Sequence, residues 1–595
     1  MKTSFIQVLL PLRLDWDPYY CCEDGESFSK GDRVEVLFSG RRYIGVVRAV
    51  DVTPAPDIKT ILPARRCGLP PVGERELAFW GALGGYYLCS VGEVYKAAYP
   101  LQKVESEAVA VRVQERLEKR LAALQLKEQK ARKDSTREQY RVQIAQIQAL
   151  LSGQPLIPAS CEGSLSAAQE DAVQAVERAF QEGKTVLLEA GPGRVDLYLE
   201  LARRTLAMGK SVLYLVPEIG LSRQLEERVE SVFPQMMPYH SAITVAQRRG
   251  VSDAVRTHPA SLVVGTRSAL FLPYRNLGLI LVDDEQDPSY KQDSPAPRYH
   301  ARDAAILLAR IHGSQVVLGS ETPSLESLYN ADNGLFAKVQ LKENFSTGTE
   351  LVNMAAEMRK KGVSGHFSLK LLSCMHSCLD AGEKVLLVCR SKAFMPECAA
   401  ELESVFGTGS RRITLCTPAS AKALPSASFA LVGILQADSL LAKEDFRCDE
   451  RALQLLAQLR SRCARGGLLL IQTFEPAHPA FQPWNPDRLL EERRQFAYPP
   501  VTRVVQIVFK DGSEKRLSYM SAQFFQALRA GLPSHISILN PYQSPAGEED
   551  VRLIRVFLPR DKALQQHKLF IYSLLNAFEK ERKYMGHIHL DVDPV

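Results

Sequence analysis

Leu188-Glu189-Ala190-Gly191-Pro192-Gly193-Arg194-Val195 closes an apolar run that begins at Thr185, and it stands where a buried strand would turn into a helix around a phosphate. A phosphate loop needs glycines that let backbone N–H groups cradle the anion, a Lys that reaches the terminal phosphates, and a Ser or Thr hydroxyl for magnesium. In this register the first glycine is Leu188, the lysine is Arg194 and the metal hydroxyl is Val195. Downstream, Leu279-Ile280-Leu281-Val282-Asp283-Asp284-Glu285-Gln286 is an apolar strand that ends in carboxylates, the place of an acidic magnesium box. The two stretches together predict a nucleotide-type α/β lobe whose phosphate site has been altered.

Working outward, apolar runs at 185–188, 211–216, 261–264, 279–282 and 315–318 alternate with helical patterns over residues 164–345. Strands apolar on both faces with helices between them imply a covered parallel sheet. A second α/β region follows over 346–490, with strands expected at 384–388, 412–415, 429–435 and 468–473; it is short for a complete lobe. Residues 491–595 read as an α+β module with strands near 504–509, 552–558 and 587–592. At the other end, 1–105 is β-rich, with turn signals Lys30-Gly31-Asp32 and Ser39-Gly40-Arg41 and then a helix over 74–87. Between them, 106–163 shifts to Arg, Lys, Glu, Gln, Ala and Leu, a helical linker expected to break near Asp134-Ser135.

At 595 residues the chain exceeds a single core, and length suggests about three to five domains. Its 46% hydrophobic and 24% charged residues are those of an ordinary soluble protein, and the net charge of +6 permits a nucleic-acid partner without requiring one. No apolar run is long enough for a membrane span and the start is not a signal peptide, so a cytoplasmic chain with no membrane partner is expected. Twelve cysteines include no C-x-x-C pair, which predicts reduced thiols, no structural zinc and no metal ligands.

Further motifs follow in order: Leu215-Val216-Pro217-Glu218-Ile219-Gly220, Tyr239-His240-Ser241, Gly265-Thr266-Arg267-Ser268-Ala269-Leu270-Phe271, Ser289-Tyr290-Lys291-Gln292, Pro297-Arg298-Tyr299-His300-Ala301-Arg302-Asp303 and Gly319-Ser320-Glu321-Thr322-Pro323-Ser324. In this order and spacing the set closely resembles the PriA family of bacterial replication-restart helicases, of superfamily 2. The resemblance extends over nearly the whole chain. It implies an α/β multidomain fold: a β-rich module that binds a nascent 3′ end, a winged-helix-like segment from Tyr86-Tyr87 and Val94-Tyr95 onward, the helical linker, two RecA-like lobes with the second truncated, and an α+β C-terminal domain. It implies branched or single-stranded DNA as partner, with other primosome proteins and single-strand-binding protein, and ATP with magnesium as cofactors.

Carried onto this chain, the resemblance places Asp283, Asp284, Arg462 and Arg465 in catalysis, and Gln169, Gly191, Gly193 and Arg194 around the nucleotide. Gly40 and Lys59 stand at the 3′-end site; Arg267, Tyr290, Lys291, Arg298 and Tyr299 stand on a DNA-contacting loop suited to stacking and phosphate neutralisation. A packed loop over the acidic box is the alternative for that last group. The departures are specific. The family's Gly-Ser-Gly-Lys-Thr reads Gly191-Pro192-Gly193-Arg194-Val195, and its Asp-Glu-Glu-His reads Asp283-Asp284-Glu285-Gln286. The glycines of its paired-arginine motif are Ser461 and Ala464, and only Met395 to Ala400 stand where its eight-cysteine zinc module is inserted. Two readings follow: a fork-binding restart protein without effective helicase activity, or a working ATP-dependent 3′→5′ helicase with an unorthodox site.

Overall fold

The computed structural model describes residues 4–22, 26–54, 56, 61–100, part of 118–148, 165–191, 193–218, 223–233, 235–341, 347–421, 424, 427–442, 445–543, 550–581 and 587–594, with side chains left out at 223, 224 and 581. The expected break at Asp134-Ser135 and the 3′-end candidate Lys59 lie outside these residues.

Strands Phe5–Leu9, Tyr19–Cys22, Pro63–Arg66, Arg33–Phe38 and Arg41–Ala49 close into a barrel in that spatial order. Alternation drives it: Ile6, Val8, Val34, Val36 and Val47 point inward and are buried. Two helices follow, Glu74–Tyr87 and Val91–Ala98. The second is started by a capping box, with Ser90 Oγ accepting from Glu93 N at 3.2 Å and Ser90 N donating to Glu93 Oε2 at 2.9 Å. Its Gly92 is required by close approach, because a Cβ there would strike the carbonyl oxygens of Leu10 and Leu12.

This helix pair is a hub. Trp80 stacks on Tyr95 at 5.3 Å between ring centroids, and Tyr95 Oη donates to the barrel carbonyl of Ile44 at 3.0 Å. On another side Phe79 meets Phe271 of the first lobe, and Tyr87 Oη accepts from His300 N at 3.0 Å. Lys568 of the C-terminal domain donates to the Tyr86 carbonyl. The barrel is thereby fastened to the first lobe and to the chain's end at once.

The first lobe is a parallel sheet of seven described strands, ordered Phe336–Leu341, Thr185–Ala190, Gln315–Ser320, Leu277–Asp283, Ser211–Leu215, Leu262–Gly265 and Met237–Tyr239. All seven residues of Leu277–Asp283 are buried, as expected of a central strand covered on both faces. The second lobe is a five-stranded parallel sheet ordered Gly348–Asn353, Cys463–Thr473, Phe429–Ile434, Val385–Val388 and Ile413–Cys416. The C-terminal domain sets helices Glu514–Gly531 and Leu564–Glu581 on an antiparallel sheet centred on Thr502–Lys510 and Val551–Pro559.

Candidate nucleotide site and its surroundings

Strand Thr185–Ala190 and helix Arg194–Ala207 bracket the phosphate-loop register. Arg194 opens that helix, and its side chain turns back into the protein. Nε donates to Asp283 Oδ1 at 2.6 Å, Nη2 to Asp284 Oδ1 at 2.8 Å, and Nη1 to the loop carbonyls of Ala190 and Gly191 at 3.3 and 3.1 Å. A left-handed backbone at Asp284 (φ 45) lets consecutive carboxylates both face the guanidinium. Burial opposes the charge on Arg194, yet Asp283 and Asp284 raise its pKa well above the ordinary value. Burial pushes the Asp284 carboxyl up, against the pull of Arg194.

The rest of the box is equally engaged. Asp283 Oδ2 accepts from Tyr214 Oη at 3.4 Å, and the Asp283 carbonyl accepts from Tyr290 Oη at 2.7 Å. Glu285 is fully buried and accepts from Ser324 N at 2.6 Å, Ser324 Oγ at 2.9 Å, Ser327 Oγ at 3.0 Å and Arg302 Nη1 at 3.2 Å. Gln169 caps its own helix, accepting from Ser166 N at 2.9 Å, and donates to the Gly193 carbonyl at 3.2 Å. It therefore braces the phosphate loop.

A magnesium–triphosphate does not fit the residues as they stand. The first two acids of the box are taken by a guanidinium, the same guanidinium holds the loop carbonyls, and Val195 offers no oxygen ligand. Arg462 of the second lobe is half-buried: burial lowers its pKa, and the Asp284 carboxylate across the interlobe seam opposes that. Arg465 is exposed and lies on strand Cys463–Thr473. The structure thus brings Gln169, Gly193, Arg194, Asp283, Asp284 and Arg462 together, with Gly191 in the loop.

The aromatic and basic loop assigned to DNA is packed inside the protein. Tyr290 and Tyr299 are each 1% exposed, and Tyr299 Oη donates to the Arg267 carbonyl at 3.1 Å. Lys291 is buried, donating to the carbonyls of Arg298 and Val592 at 2.8 and 2.7 Å and pairing with Asp591 at 2.7 Å. Arg267 Nη1 donates to the carbonyls of Ser289 and Lys291 at 2.8 and 2.7 Å. Arg298 is half-buried, and burial lowers its pKa. The packed-loop alternative describes Tyr290, Lys291 and Tyr299 in this conformation: their donors join the acidic-box strand and the first lobe to the last strand of the chain. On the barrel, Gly40 is exposed with φ +75 and open space where a Cβ would stand. Sequence reasoning quoted Arg302, Arg447 and Glu450 within motifs but gave them no role, and passed over Glu326; the charges of all four meet at the seam between the lobes.

A barrel with a helical extension, joined to two parallel-sheet α/β lobes of which the first carries the acidic box, defines a two-lobed α/β architecture with a β-barrel at its start. The family model described as the 3'DNA-binding domain (3'BD) matches residues 7–100, which takes in both hub helices. The replication restart protein PriA of Bacillus subtilis is 27% identical over 515 residues, covering 69% of this chain and 64% of that protein. Its counterpart in Haemophilus influenzae is 28% identical, covering 75% and 74%, and that of Rickettsia conorii is 24% identical over 698 positions, covering 99% of both. A structure of RecG bound to a three-way DNA junction aligns at 15% identity with a TM-score of 0.36, covering 77% of this chain and 64% of that one, too distant to add weight. Over nearly its whole length the chain is thus similar to the PriA replication restart proteins.

Proposed function

We propose that this chain is a restart protein that binds branched DNA at stalled forks through its barrel and does not unwind it. The observation that carries the second half is the Arg194 guanidinium bonded to Asp283, Asp284 and the loop carbonyls. Hydrolysis needs phosphate cradling, magnesium ligation, a positioned water and cross-lobe arginine charge together. Here a nucleotide would have to displace an intramolecular charge-assisted network before any of these could assemble. The first half is supported by the 3′-DNA-binding match over residues 7–100 and by the open Gly40 turn, where a backbone phosphate or sugar can approach closely.

The competing reading, an active 3′→5′ helicase, is favoured by one observation, the placement of Arg462 opposite Asp284. One experiment separates them. Purified full-length protein is titrated with forked DNA with and without a free 3′ end, and ATP turnover and strand separation are followed on the same forks. Salt-sensitive fork binding with no turnover and no separation is expected. Strand separation that Asp283→Ala abolishes would establish the helicase instead.

A further inference from the structure

We infer that the chain's own buried charges lock the two lobes in one closed arrangement, so that the cleft between them does not cycle with nucleotide. This rests on the reading of a motor without turnover and extends it from the phosphate site to the lobe pair.

Two fasteners carry it. The first is the phosphate site, where Arg194 satisfies the acidic box from within and Asp284 attracts Arg462 of the second lobe. The second is a chain of buried ions that leaves the same box by Glu285. Arg302 Nη1 bonds Glu285 at 3.2 Å and lies 4.0 Å from Glu326; Glu326 accepts from Arg447 Nη1 of the second lobe at 2.6 Å. Glu450, three residues on, reaches back to accept from the first-lobe backbone at Leu325 N (3.0 Å) and from Arg493 Nη2 at 3.2 Å. Gln454 adds a bond to the Pro323 carbonyl at 3.5 Å. Every ion in this chain is buried or nearly so, Glu285 fully. Burial works against the Glu326 charge, yet Arg447 and Arg302 hold that carboxyl well below its ordinary range.

The physical consequence follows from what opening would do. Separating the lobes breaks the Glu326–Arg447 pair and the Leu325–Glu450 bond together, and both are charge-assisted bonds held largely out of water in the closed arrangement. A ligand that inverts a 1:99 equilibrium must prefer the minor state by about 10⁴-fold. A nucleotide that must first displace Arg194 starts from a deficit. The cavity at the seam has a volume of about 40 Å³, room for a water. Movement of DNA through such a protein would come from partners, with this chain as a fixed platform.

The test is single-molecule energy transfer in the full chain, with dyes on azide-bearing side chains introduced at Gln181 of the first lobe and Glu403 of the second, both exposed. One population is expected, unmoved by magnesium with a non-hydrolysable ATP analogue and unmoved by forked DNA. Glu326→Gln combined with Arg447→Gln should add a second population of lower transfer efficiency. A wild-type population that shifts with nucleotide overturns the lock, and so does a folded double variant that keeps a single population. If the double variant fails to fold, the wild-type measurement decides alone. A protein that binds forks, turns over no ATP and yet opens would sink the lock while leaving the proposed function standing.

Discussion

Arg194 and Asp283, 89 residues apart in the chain, meet through a 2.6 Å bond between Nε and Oδ1 in the middle of the first lobe. One residue sits where the resemblance expects a phosphate-binding lysine, the other where it expects a magnesium ligand. Their direct pairing means that each satisfies the other's charge without a ligand. A planar guanidinium can also bond Asp284 and two carbonyls at once, which a lysine ammonium could not match in geometry.

Arg194→Ala leaves the buried Asp283 and the half-buried Asp284 without their cation. Loss of one partner of such a buried pair typically costs about 3–5 kcal/mol. Urea denaturation of the variant against wild type reads it directly, and a loss within the ordinary surface range would show that the pair is not structural.

Arg194→Lys with Val195→Thr supplies both side chains that the phosphate-loop pattern requires. Calorimetric titration should detect magnesium–nucleotide binding in this double variant and not in wild type. Strand separation should remain absent, because the Glu326–Arg447 seam is untouched.

Lys291→Met separates the two accounts of the aromatic loop. Since Lys291 bonds Asp591 and two carbonyls in the interior, its replacement should lower thermal stability and expose the last strand to amide exchange. Fork affinity measured well below the melting transition should be unchanged. Weakened fork binding with unaltered stability would return Lys291 to the DNA.

Lys59→Ala should weaken binding to forks with a free 3′ end more than to forks without one, since a lysine at a terminal phosphate contributes only when that end is present. Equal losses on both substrates would remove Lys59 from the 3′ site.

Acid should destabilise the protein early. Burial holds His300 down to about 3, and His312 and His589 down to about 4, from an ordinary 6.5. The unfolded chain therefore binds more protons than the fold in this window, so stability is full above 6.5 and falls as pH drops toward the folded values. His300 caps helix Ala301–His312 by accepting from Arg302 N at 3.3 Å, a bond an asparagine can also accept. His300→Asn should thus fold and flatten the decline in melting temperature between pH 6.5 and 4; an unchanged slope would assign the acid sensitivity elsewhere.

Much of the architecture was legible because covered parallel strands must be apolar along their whole length. All five first-lobe runs expected from that rule are strands, within a residue or two at their ends. Among the strands that escaped notice, Met237–Tyr239, Phe336–Leu341 and Gly348–Asn353 lie at sheet edges. There one side faces solvent or a loop, and Lys338, Gln340 and Glu350 interrupt the apolar pattern. Tyr19–Cys22 and Pro63–Arg66 were missed in the barrel because each is only four residues long, too short for alternation to register. The aromatic loop shows a different limit. Tyrosines beside lysine and arginine have the composition of a base-stacking surface, and the same composition serves an interior where each polar tip finds a carbonyl.

The sequence by itself determined the central strands of both lobes, the replacement of the phosphate-binding lysine and metal hydroxyl, and the resemblance to the PriA proteins, since these depend on residue type and local spacing. Only the tertiary structure decided that Arg194 closes on Asp283 and Asp284, that Lys291 lies inside, and that Glu326 meets Arg447 across the lobes. Such pairings join residues dozens to hundreds of positions apart. Whether a charge meets water, a ligand or an opposite charge is set by which elements pack together, and no local pattern along the chain records that.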